Sequence, residues 1–221
     1  MADTTWRCEL HCHSNYSRDC AISTDQLIAI CERKKIDAIA LTDHNEIAGA
    51  MELAEKAPSW LHVIVGEEIA TQEGDVIGLF LTSKIAPRQP IAATIAQIKG
   101  QNGVVLLPHP FDRIRHEAVG PAVVDAIKND IDFIEIFNSR CLFPADNRRA
   151  ARFAKSHTLA PFVGSDAHVA REYGRSVVIM SPFTHADSFK RSLQKATFET
   201  RRSSPLVHVE TKLVKRRTRA H

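Results

Sequence analysis

The chain has 221 residues, of which 44% are hydrophobic and 25% charged, and its formal net charge is +3. Such a length and composition suit a globular protein with a substantial core. No apolar run is long enough to cross a bilayer, the first residues lack the basic-then-apolar pattern of a signal peptide, and the five cysteines form no Cys-x-x-Cys pair. We therefore expect a cytoplasmic protein with reduced thiols and no membrane segment.

The first predicted strand runs through Glu-Leu-His-Cys-His-Ser, residues 9–14. Alternate side chains of a strand point to opposite faces, so Leu10 and Cys12 share one face while His11 and His13 share the other. Two imidazoles at this spacing can bind one cation. On its own the pair is a weak indication of a metal site, because an exposed polar strand end would look the same.

Strands and helices alternate along the chain that follows. Ser23-Thr-Asp-Gln26 has the form of a capping box and predicts the start of a helix. We predict further strands at 36–41, 61–65, 76–81, 104–107, 133–137, 162–163 and 176–180, and further helices through Met51 and Leu53 and at 90–99, 121–128, 144–157 and 187–196, the last of which closes the folded part.

This alternation predicts a parallel α/β sheet, and seven or eight strand-helix units favour a closed barrel over an open doubly wound sheet. No glycine-rich phosphate loop of the Gly-x-Gly-x-x-Gly or Walker type is present, which also argues against a nucleotide-binding open sheet. Residues 201–221 hold seven Lys or Arg against one acid, Glu210. We therefore expect one barrel domain at 1–200 and a basic C-terminal tail at 201–221.

The ends of the predicted strands repeatedly carry residue types that bind metals. These are His11 and His13, His44, Glu67 or Glu68, His109, and Asp166 with His168. Active sites of parallel barrels lie at the C-terminal strand ends, so these side chains would meet at one rim. A single strand-end histidine is usually a surface or hydrogen-bonded residue, but recurrence at separate strand ends predicts a multinuclear metal site.

The same residues stand in an ordered series of short motifs: His11-x-His13, Thr42-Asp-His44-Asn45, Gly66-Glu-Glu68, Pro108-His-Pro110 and Gly164-Ser-Asp-Ala-His168. From about Arg7 to Ala196 this series resembles the PHP family, the polymerase and histidinol phosphatase domain. The resemblance implies a distorted (β/α)7 TIM-like barrel that binds two or three divalent cations (Mn, Fe or Zn) and acts as a metal-dependent phosphoesterase.

The resemblance also implies a set of metal ligands in this chain. The first cation would take His11, His13, Glu68 and Asp166, the second would share Glu68 and take His109, and the third would take His44 and His168 with Asp19 as a further ligand. Glu68 is preferred to Glu67 because the bridging acid of the family stands two places after the glycine. The sequence alone does not choose between these two neighbours.

Asp75 departs from the family pattern, since many relatives carry histidine at this position. An aspartate could still bind the second cation through oxygen, which would favour Mn²⁺, Fe²⁺ or Mg²⁺ over Zn²⁺. The alternative is a turn residue after Gly74 that contacts no metal.

Clustered cations would lower the pKa of a bridging water from about 15.7 toward neutrality and supply hydroxide. We therefore expect hydrolysis of a phosphate monoester or a short phosphodiester by this hydroxide, with catalysis assigned to His11, His13, Glu68, Asp166 and His168. A C–N hydrolase with the same nucleophile ranks lower. The substrate would be a small phosphorylated molecule, with histidinol phosphate, a nucleotide bisphosphate and an oligonucleotide end all left open.

Residues that contact the substrate are less constrained by the sequence. Arg113 and Arg140 follow strand ends, and the planar guanidinium of arginine suits phosphate oxygens. Glu135 and Asn138 also lie at a strand end and could contact either the substrate or the metal ligands. For the arginines, the alternative is an ordinary salt bridge or a solvated loop.

A second class of function is a non-catalytic subunit that binds nucleic acid through the basic tail. Clustered cations such as those at 212–219 bind phosphate backbones by releasing counterions. A PHP-like barrel subunit of RNase P resembles this fold without needing catalytic metals. Such a scaffold would have no reason to keep a full set of metal ligands, so the sequence favours the enzyme.

Overall fold

Nine strands and seven helices occur in residues 5–115 and 117–218, the part of the chain that the computed structural model describes. The strands are β1 (Trp6–Cys12), β2 (Ala38–Leu41), β3 (His62–Ala70), β4 (Asp75–Leu79), β5 (Val104–Leu107), β6 (Phe133–Asn138), β7 (Pro161–Gly164), β8 (Ser176–Met180) and β9 (Thr197–Thr200). The helices are α1 (Thr24–Lys34), α2 (Ala48–Lys56), α3 (Ile91–Gly100), α4 (Gly120–Ile127), α5 (Pro144–Ser156), α6 (Ala186–Leu193) and α7 (Val207–Thr218).

One sheet contains all nine strands in the order β7-β6-β5-β4-β3-β2-β1-β8-β9. The sheet curls so that β7 returns to β1, where the backbone N–H of Asp166 donates to the carbonyl oxygen of His11 at 2.7 Å. The N–H of His13 donates to the carbonyl oxygen of Ala167 at 3.0 Å in the same seam. The first seven strands thus form the nearly closed barrel wall, which confirms the predicted TIM-like α/β class.

The expectation of a parallel sheet is wrong at β8, which runs antiparallel to β1, and at β4, which runs antiparallel to both β3 and β5. β3 continues to Ala70, well beyond its predicted end, and only residues 71–74 separate it from β4. The N–H of Thr71 donates to the carbonyl oxygen of Gly74 at 3.0 Å, and Gly74 adopts φ 138°. Four residues can close a hairpin, whereas a parallel crossover needs about a dozen residues or more.

The local sequence signals predict most helix boundaries correctly. The Ser23 side chain accepts from the N–H of Gln26 while the Gln26 side chain accepts from the N–H of Ser23, so the predicted capping box forms at α1. Pro144 occupies the first turn of α5, where a missing N–H costs nothing. One buried apolar cluster draws on eight strands and α6, and its residues in β1, β2, β3, β5 and β7 precede the polar residues of those strand ends.

The fold extends beyond the helix that was expected to close it. α6 ends at Leu193, after which β9 pairs antiparallel with β8 and α7 begins at Val207. Residues 207–218 of the basic segment therefore form an ordered helix, while residues 219–221 lie outside the described residues. Val207 is fully buried, because α7 packs on the barrel. Among the described helices, none is both long and apolar enough to span a bilayer.

Candidate metal centre

Polar side chains from five strands meet at one end of the barrel. His11 lies in β1 and His13 follows it, His44 follows β2, Glu68 lies in β3, His109 follows β5, and Asp166 and His168 follow β7. All except His44 are almost completely buried. An apolar run precedes most of these residues and fixes its strand in the core, so the polar residues are held at the rim.

The potential ligand atoms form three overlapping groups, and within each group all atoms lie within 4.8 Å of one another. The groups are His11, His13 and Asp166; His11, Glu68 and His109; and His13, His44 and His168. The first two resemble the sets expected for the first and second cations, and the third adds His13 to the expected pair. Because His11 and His13 each belong to two groups, the three groups form one continuous site.

Glu68 connects these groups through its two carboxylate oxygens. Its Oε1 lies 2.9 Å from Nε2 of His109, and its Oε2 lies 3.0 Å from Nδ1 of His44 and 3.3 Å from Nε2 of His13. Its neighbour Glu67 is engaged elsewhere, since its Oε2 accepts from the backbone N–H of Ile85 at 3.0 Å. The side chain that enters the site is therefore that of Glu68.

The two aspartates that were predicted as additional ligands differ in position. Asp19 Oδ1 lies 3.4 Å from Nε2 of His168 and 3.8 Å from Nε2 of His44, so Asp19 borders the third group. Asp75 is buried at the start of β4 but belongs to none of the three groups found among the described residues. Burial, followed by the charge of Glu68, raises the pKa of Asp75 to about 8. Ligation by Asp75 stays a prediction.

A hydrogen-bonded chain orients the imidazole of His13. The hydroxyl of Ser17 donates to Asp43 Oδ1 at 2.6 Å, so its oxygen is available to accept from Nδ1 of His13 at 3.2 Å. The proton of His13 is then on Nδ1, and the lone pair of Nε2 points into the site. Neither Asp43 nor Ser17 can be assigned a role from the sequence, because only the fold brings their side chains beside His13.

Two further histidines are oriented in the same way. Nδ1 of His11 donates to Glu135 Oε1 at 3.2 Å, and Nδ1 of His168 donates to the carbonyl oxygen of Asp166 at 2.8 Å. With Nδ1 engaged in these contacts, Nε2 of each ring is left as the potential ligand atom. Nε2 of all three rings thus faces one site.

Six buried polar atoms at this site have no hydrogen-bond partner among the described residues. They are Nε2 of His11, Nε2 of His13, Oδ1 of Asp19, Oε2 of Glu68, Nδ1 of His109 and Oδ1 of Asp166. Buried polar atoms are almost always paired, and leaving one unpaired costs about 1–3 kcal/mol. Five of the six atoms belong to residues of the three ligand groups. Their mixture of imidazole nitrogen and carboxylate oxygen fits divalent transition metals.

The protein alone holds the predicted ligands in different protonation states. Although burial opposes it, the charge of Asp166 raises the pKa of His11 well above its ordinary value, and that of Glu68 raises the pKa of His44 to about 9, so these two rings would release a proton when they bind a cation. Burial and the nearby imidazoles of His168 and His44 lower the pKa of His13 well below its ordinary value. Burial opposes ionisation of Glu68, but His44 and His11 outweigh it and hold the pKa of Glu68 well below its usual range. A neutral imidazole and an ionised carboxylate are the forms that ligate metals.

The backbone approaches the site closely on the β7 side. Asp166 adopts φ 53° and His109 adopts φ 26°, both in the left-handed region that residues other than glycine rarely occupy. At Gly164 an added Cβ would lie 2.6 Å from Cβ of His11 and would collide with Oε1 of Glu135. Glycine is required there because these two side chains pack directly against the strand.

The two arginines that were predicted to contact substrate have protein partners. Arg113 forms an ion pair with Asp146 at 2.7 Å and its guanidinium lies over the ring of Phe143. Arg140 is buried, and its Nη1 donates to the carbonyl oxygen of Asp166 at 3.4 Å. These contacts favour the salt-bridge alternative for Arg113 and an internal structural role for Arg140 over direct contact with substrate.

Glu135 and Asn138 contact the metal-ligand residues themselves. Glu135 Oε1 accepts from His11, as described above, and its Oε2 accepts from the backbone N–H of His109 at 2.6 Å. Nδ2 of Asn138 donates to Glu135 Oε2 at 3.0 Å and to Asp166 Oδ2 at 3.1 Å. The sequence left two roles open for Glu135 and Asn138. These contacts favour the role in which they hold the metal ligands in place over direct contact with the substrate.

Arg115 is a site residue that sequence reasoning did not select. Its guanidinium contacts Asp166 Oδ2 and lies 3.5 Å from Asp112 Oδ2, and only 19% of its side chain is exposed. Although burial opposes ionisation, Arg115 and then His11 hold the pKa of Asp166 well below its usual range. The strand-end segment 111–115 contained the signal, but the sequence could not show which of its two arginines turns inward.

Comparison with known proteins agrees with this geometry. A family model described as the PHP domain matches residues 9–200. The uncharacterized protein MJ0417 of Methanocaldococcus jannaschii is 32% identical over 177 residues, which cover 78% of this chain and 70% of that protein.

Two solved structures share the fold at low sequence identity. A two-domain protein of Bacteroides vulgatus that contains a predicted PHP-like metal-dependent phosphoesterase gives a TM-score of 0.74 at 18% identity, over 90% of this chain and 66% of that chain. PsfC of Pseudomonas syringae gives a TM-score of 0.72 at 16% identity, over 97% and 99% of the two chains. The chain spans about two thirds of the two-domain protein. Together with the family match over most of its length, these findings show that the chain belongs to the PHP domain family.

Proposed function

We propose that this protein is a metal-dependent phosphoesterase that hydrolyses a phosphate monoester or a short phosphodiester. The observation that carries the proposal is the set of six unpaired buried polar atoms that converge on one rim of the barrel. Membership of the PHP family supports the reaction class. We infer two or three divalent cations, because the ligand atoms form three overlapping groups.

The ligand atoms fit Mn, Fe or Zn, since each group contains imidazole nitrogen and two of the three also contain carboxylate oxygen. When bound, such cations lower the pKa of water and neutralise phosphate charge. The first cation would be held by His11, His13 and Asp166, the second by Glu68 and His109, and the third by His44, His168 and Asp19. Glu68 would contribute to more than one of these sites.

The protein groups around the ligands prepare the site for an anionic substrate. Arg115 neutralises Asp166 from the side opposite the unpaired Oδ1, because its guanidinium contacts Oδ2. We propose that donors of the same guanidinium also bind a phosphate oxygen of the substrate. Glu135 and Ser17 fix the orientation of His11 and His13, which keeps Nε2 of both rings aimed at the cations.

The test combines elemental analysis with a phosphate-release screen of monoesters, nucleotides and short oligonucleotides in Mn²⁺ and in EDTA. We expect two or three bound metals per chain and turnover that EDTA abolishes and Mn²⁺ restores. Replacing His11 with Ala should lower kcat by about a hundredfold or more, since loss of one strong electrostatic stabiliser costs roughly 3–4 kcal/mol. A folded protein that binds no metal would contradict the proposal.

Nucleic-acid binding by α7 is the second candidate, because Lys212 and Arg216 are exposed on this helix. Binding through these side chains would weaken steeply with salt and would survive EDTA. A fluorescence-anisotropy titration of a short RNA at two salt concentrations, with the Lys212→Gln, Arg216→Gln double variant as control, distinguishes the two functions. RNA retention without metal or turnover would favour the scaffold.

A further inference from the structure

The C-terminal helix α7 is connected to the predicted metal ligands by side-chain contacts. The buried Val207 and Thr211 lie on the side of α7 that faces the barrel, whereas Val209 and Leu213 are more than half exposed on the other side. Nε2 of His208 lies 3.1 Å from the carbonyl oxygen of Arg140, which follows β6. The helix therefore packs on the loop that leads from β6 to α5.

Arg140 carries the contact from α7 toward the site. Its Nη2 donates to Thr211 Oγ1 at 2.8 Å, and its Nη1 donates to the carbonyl oxygen of Asp166 at 3.4 Å. Its Nε lies 3.5 Å from Oε1 of Glu172. One buried guanidinium thus joins the helix, the turn after β7 and a buried carboxylate.

Glu172 completes the connection to His168. Its Oε2 accepts from the backbone N–H groups of His168 at 3.0 Å and Val169 at 3.2 Å, and the residue is fully buried. Nδ1 of His168 donates to the same Asp166 carbonyl oxygen that Arg140 contacts. The turn 166–169 is therefore held from both sides, although Asp166 lies in the left-handed region of φ.

The same helix also approaches the other side of the third ligand group. Nζ of Lys215 lies 4.0 Å from Asp19 Oδ2, and Asp19 Oδ1 faces Nε2 of His168 at 3.4 Å. Thus α7 reaches Asp19, which borders the third group, through Lys215, and it reaches His168 indirectly through Arg140 and Glu172.

We propose that Arg140 and Glu172 are positioning residues that hold the 166–169 turn, and that α7, through Thr211, sets the affinity of the cation site formed by His168, His44 and Asp19. This inference rests on the proposed metal-dependent function. None of these positioning residues would contact the substrate. The basic C-terminal segment would accordingly influence the affinity of the protein for its cations, independently of what binds to the exposed side of α7.

The test uses the full chain and compares Thr211→Val with Thr211→Ser and with Val209→Ala, an exposed site on the same helix. Each protein is stripped of metal, its thermal unfolding is recorded, and Mn²⁺ binding is measured by titration calorimetry and elemental analysis. We expect Thr211→Val to weaken the cation assigned to His168, His44 and Asp19 about three- to tenfold, as for loss of one hydrogen bond. Thr211→Ser and Val209→Ala should match the wild type.

Glu172→Gln keeps the shape of the side chain but removes its charge, and we expect it to weaken the same cation about tenfold or more. The cation assigned to Glu68 and His109, which lie outside the 166–169 turn, should keep its affinity in both variants. Wild-type affinity at every site in Thr211→Val and Glu172→Gln would overturn this inference, as would a uniform loss that follows a lower unfolding temperature. Absence of metal binding by the wild type would instead overturn the proposed function.

Discussion

Glu68 Oε1 lies 2.9 Å from Nε2 of His109, 41 residues later in the chain. This contact joins β3 to the end of β5 across β4, and it brings a carboxylate and an imidazole together in a fully buried position. If a divalent cation bound here, two stronger bonds, one from Glu68 and one from His109 to the cation, would replace this direct contact. The relationship between these two residues therefore leads to the first prediction.

Glu68→Gln should remove at least one cation per chain and lower kcat by about a hundredfold or more, because one of two ligand oxygens becomes an amide nitrogen and the charge is lost. The adjacent Glu67→Gln is the matched control, since Glu67 accepts from Ile85 outside the ligand groups. Elemental analysis and phosphate release measure both effects. Equal metal content in the two variants would contradict the assignment of Glu68.

Ser17→Ala should weaken metal binding about ten- to a hundredfold, because residues that orient a ligand typically contribute that much. Without the hydroxyl, nothing at this position holds the proton of His13 on Nδ1, and Asp43 loses one donor. Ser156→Ala, at an exposed serine at the end of α5, is the control. Mn²⁺ titration calorimetry reports the change, and unaltered affinity in Ser17→Ala would exclude the orienting role.

Gly164→Ala should destabilise the protein by about 1–3 kcal/mol, as expected for overpacking a buried site. The new methyl group would collide with Glu135 and His11, so metal affinity should fall as well. Gly100→Ala is the control, because nothing lies within 4 Å of its added Cβ. Urea unfolding of the metal-free variants measures the difference, and similar stabilities of the two variants would show that the β7 side of the site can relax.

Arg115→Gln should raise KM for a phosphate substrate more than Arg113→Gln does, because only Arg115 contacts a predicted metal ligand. Arg113→Gln removes a partly exposed ion pair with Asp146 and should change KM little. Steady-state kinetics at saturating Mn²⁺ separate KM from kcat. A larger increase in KM for Arg113→Gln than for Arg115→Gln would instead support a substrate contact by Arg113, as the sequence predicted.

Stability should decrease as the pH falls below about 6.5, in part through His62. Burial between Trp6 and Phe183 lowers the pKa of His62. At a pH between the folded and unfolded values, His62 therefore binds a proton in the unfolded chain but not in the folded protein. Stability from this residue is complete above the unfolded pKa and is lost as the pH drops toward the folded one. The unfolding temperature of His62→Phe should therefore fall less between pH 7.5 and 5.5 than that of the wild type.

The strand ends could be predicted from the sequence because each depends on short-range signals. Buried runs such as 104–107 are almost purely apolar, and the ligands follow them directly. β3 was harder to predict, because Glu67 and Glu68 interrupt its apolar pattern yet are buried in the strand. Their burial depends on partners from distant strands. The local apolar pattern therefore predicts an end of β3 that is too early, and it does not indicate the hairpin between β3 and β4.

The roles of the arginines could not be read from local sequence for a similar reason. Arg113 and Arg115 are two residues apart in the same loop, and only the fold decides which one reaches Asp166. Arg140 is enclosed because α7 covers it through Thr211, a contact between residues 71 positions apart. A basic C-terminal segment gives no sign by itself that Val207 and Thr211 face inward against the barrel.

The seam between β1 and β7 bears on when the proposed cations could bind during synthesis. His11 is synthesised long before its neighbours Asp166 and Ala167, which lie far later in the chain. The proposed site of His11, His13 and Asp166 would therefore form only once the barrel closes, and a cation bound there would link the two sides of the seam. A chelator should accordingly loosen the join between the two ends of the barrel before it affects the wall opposite.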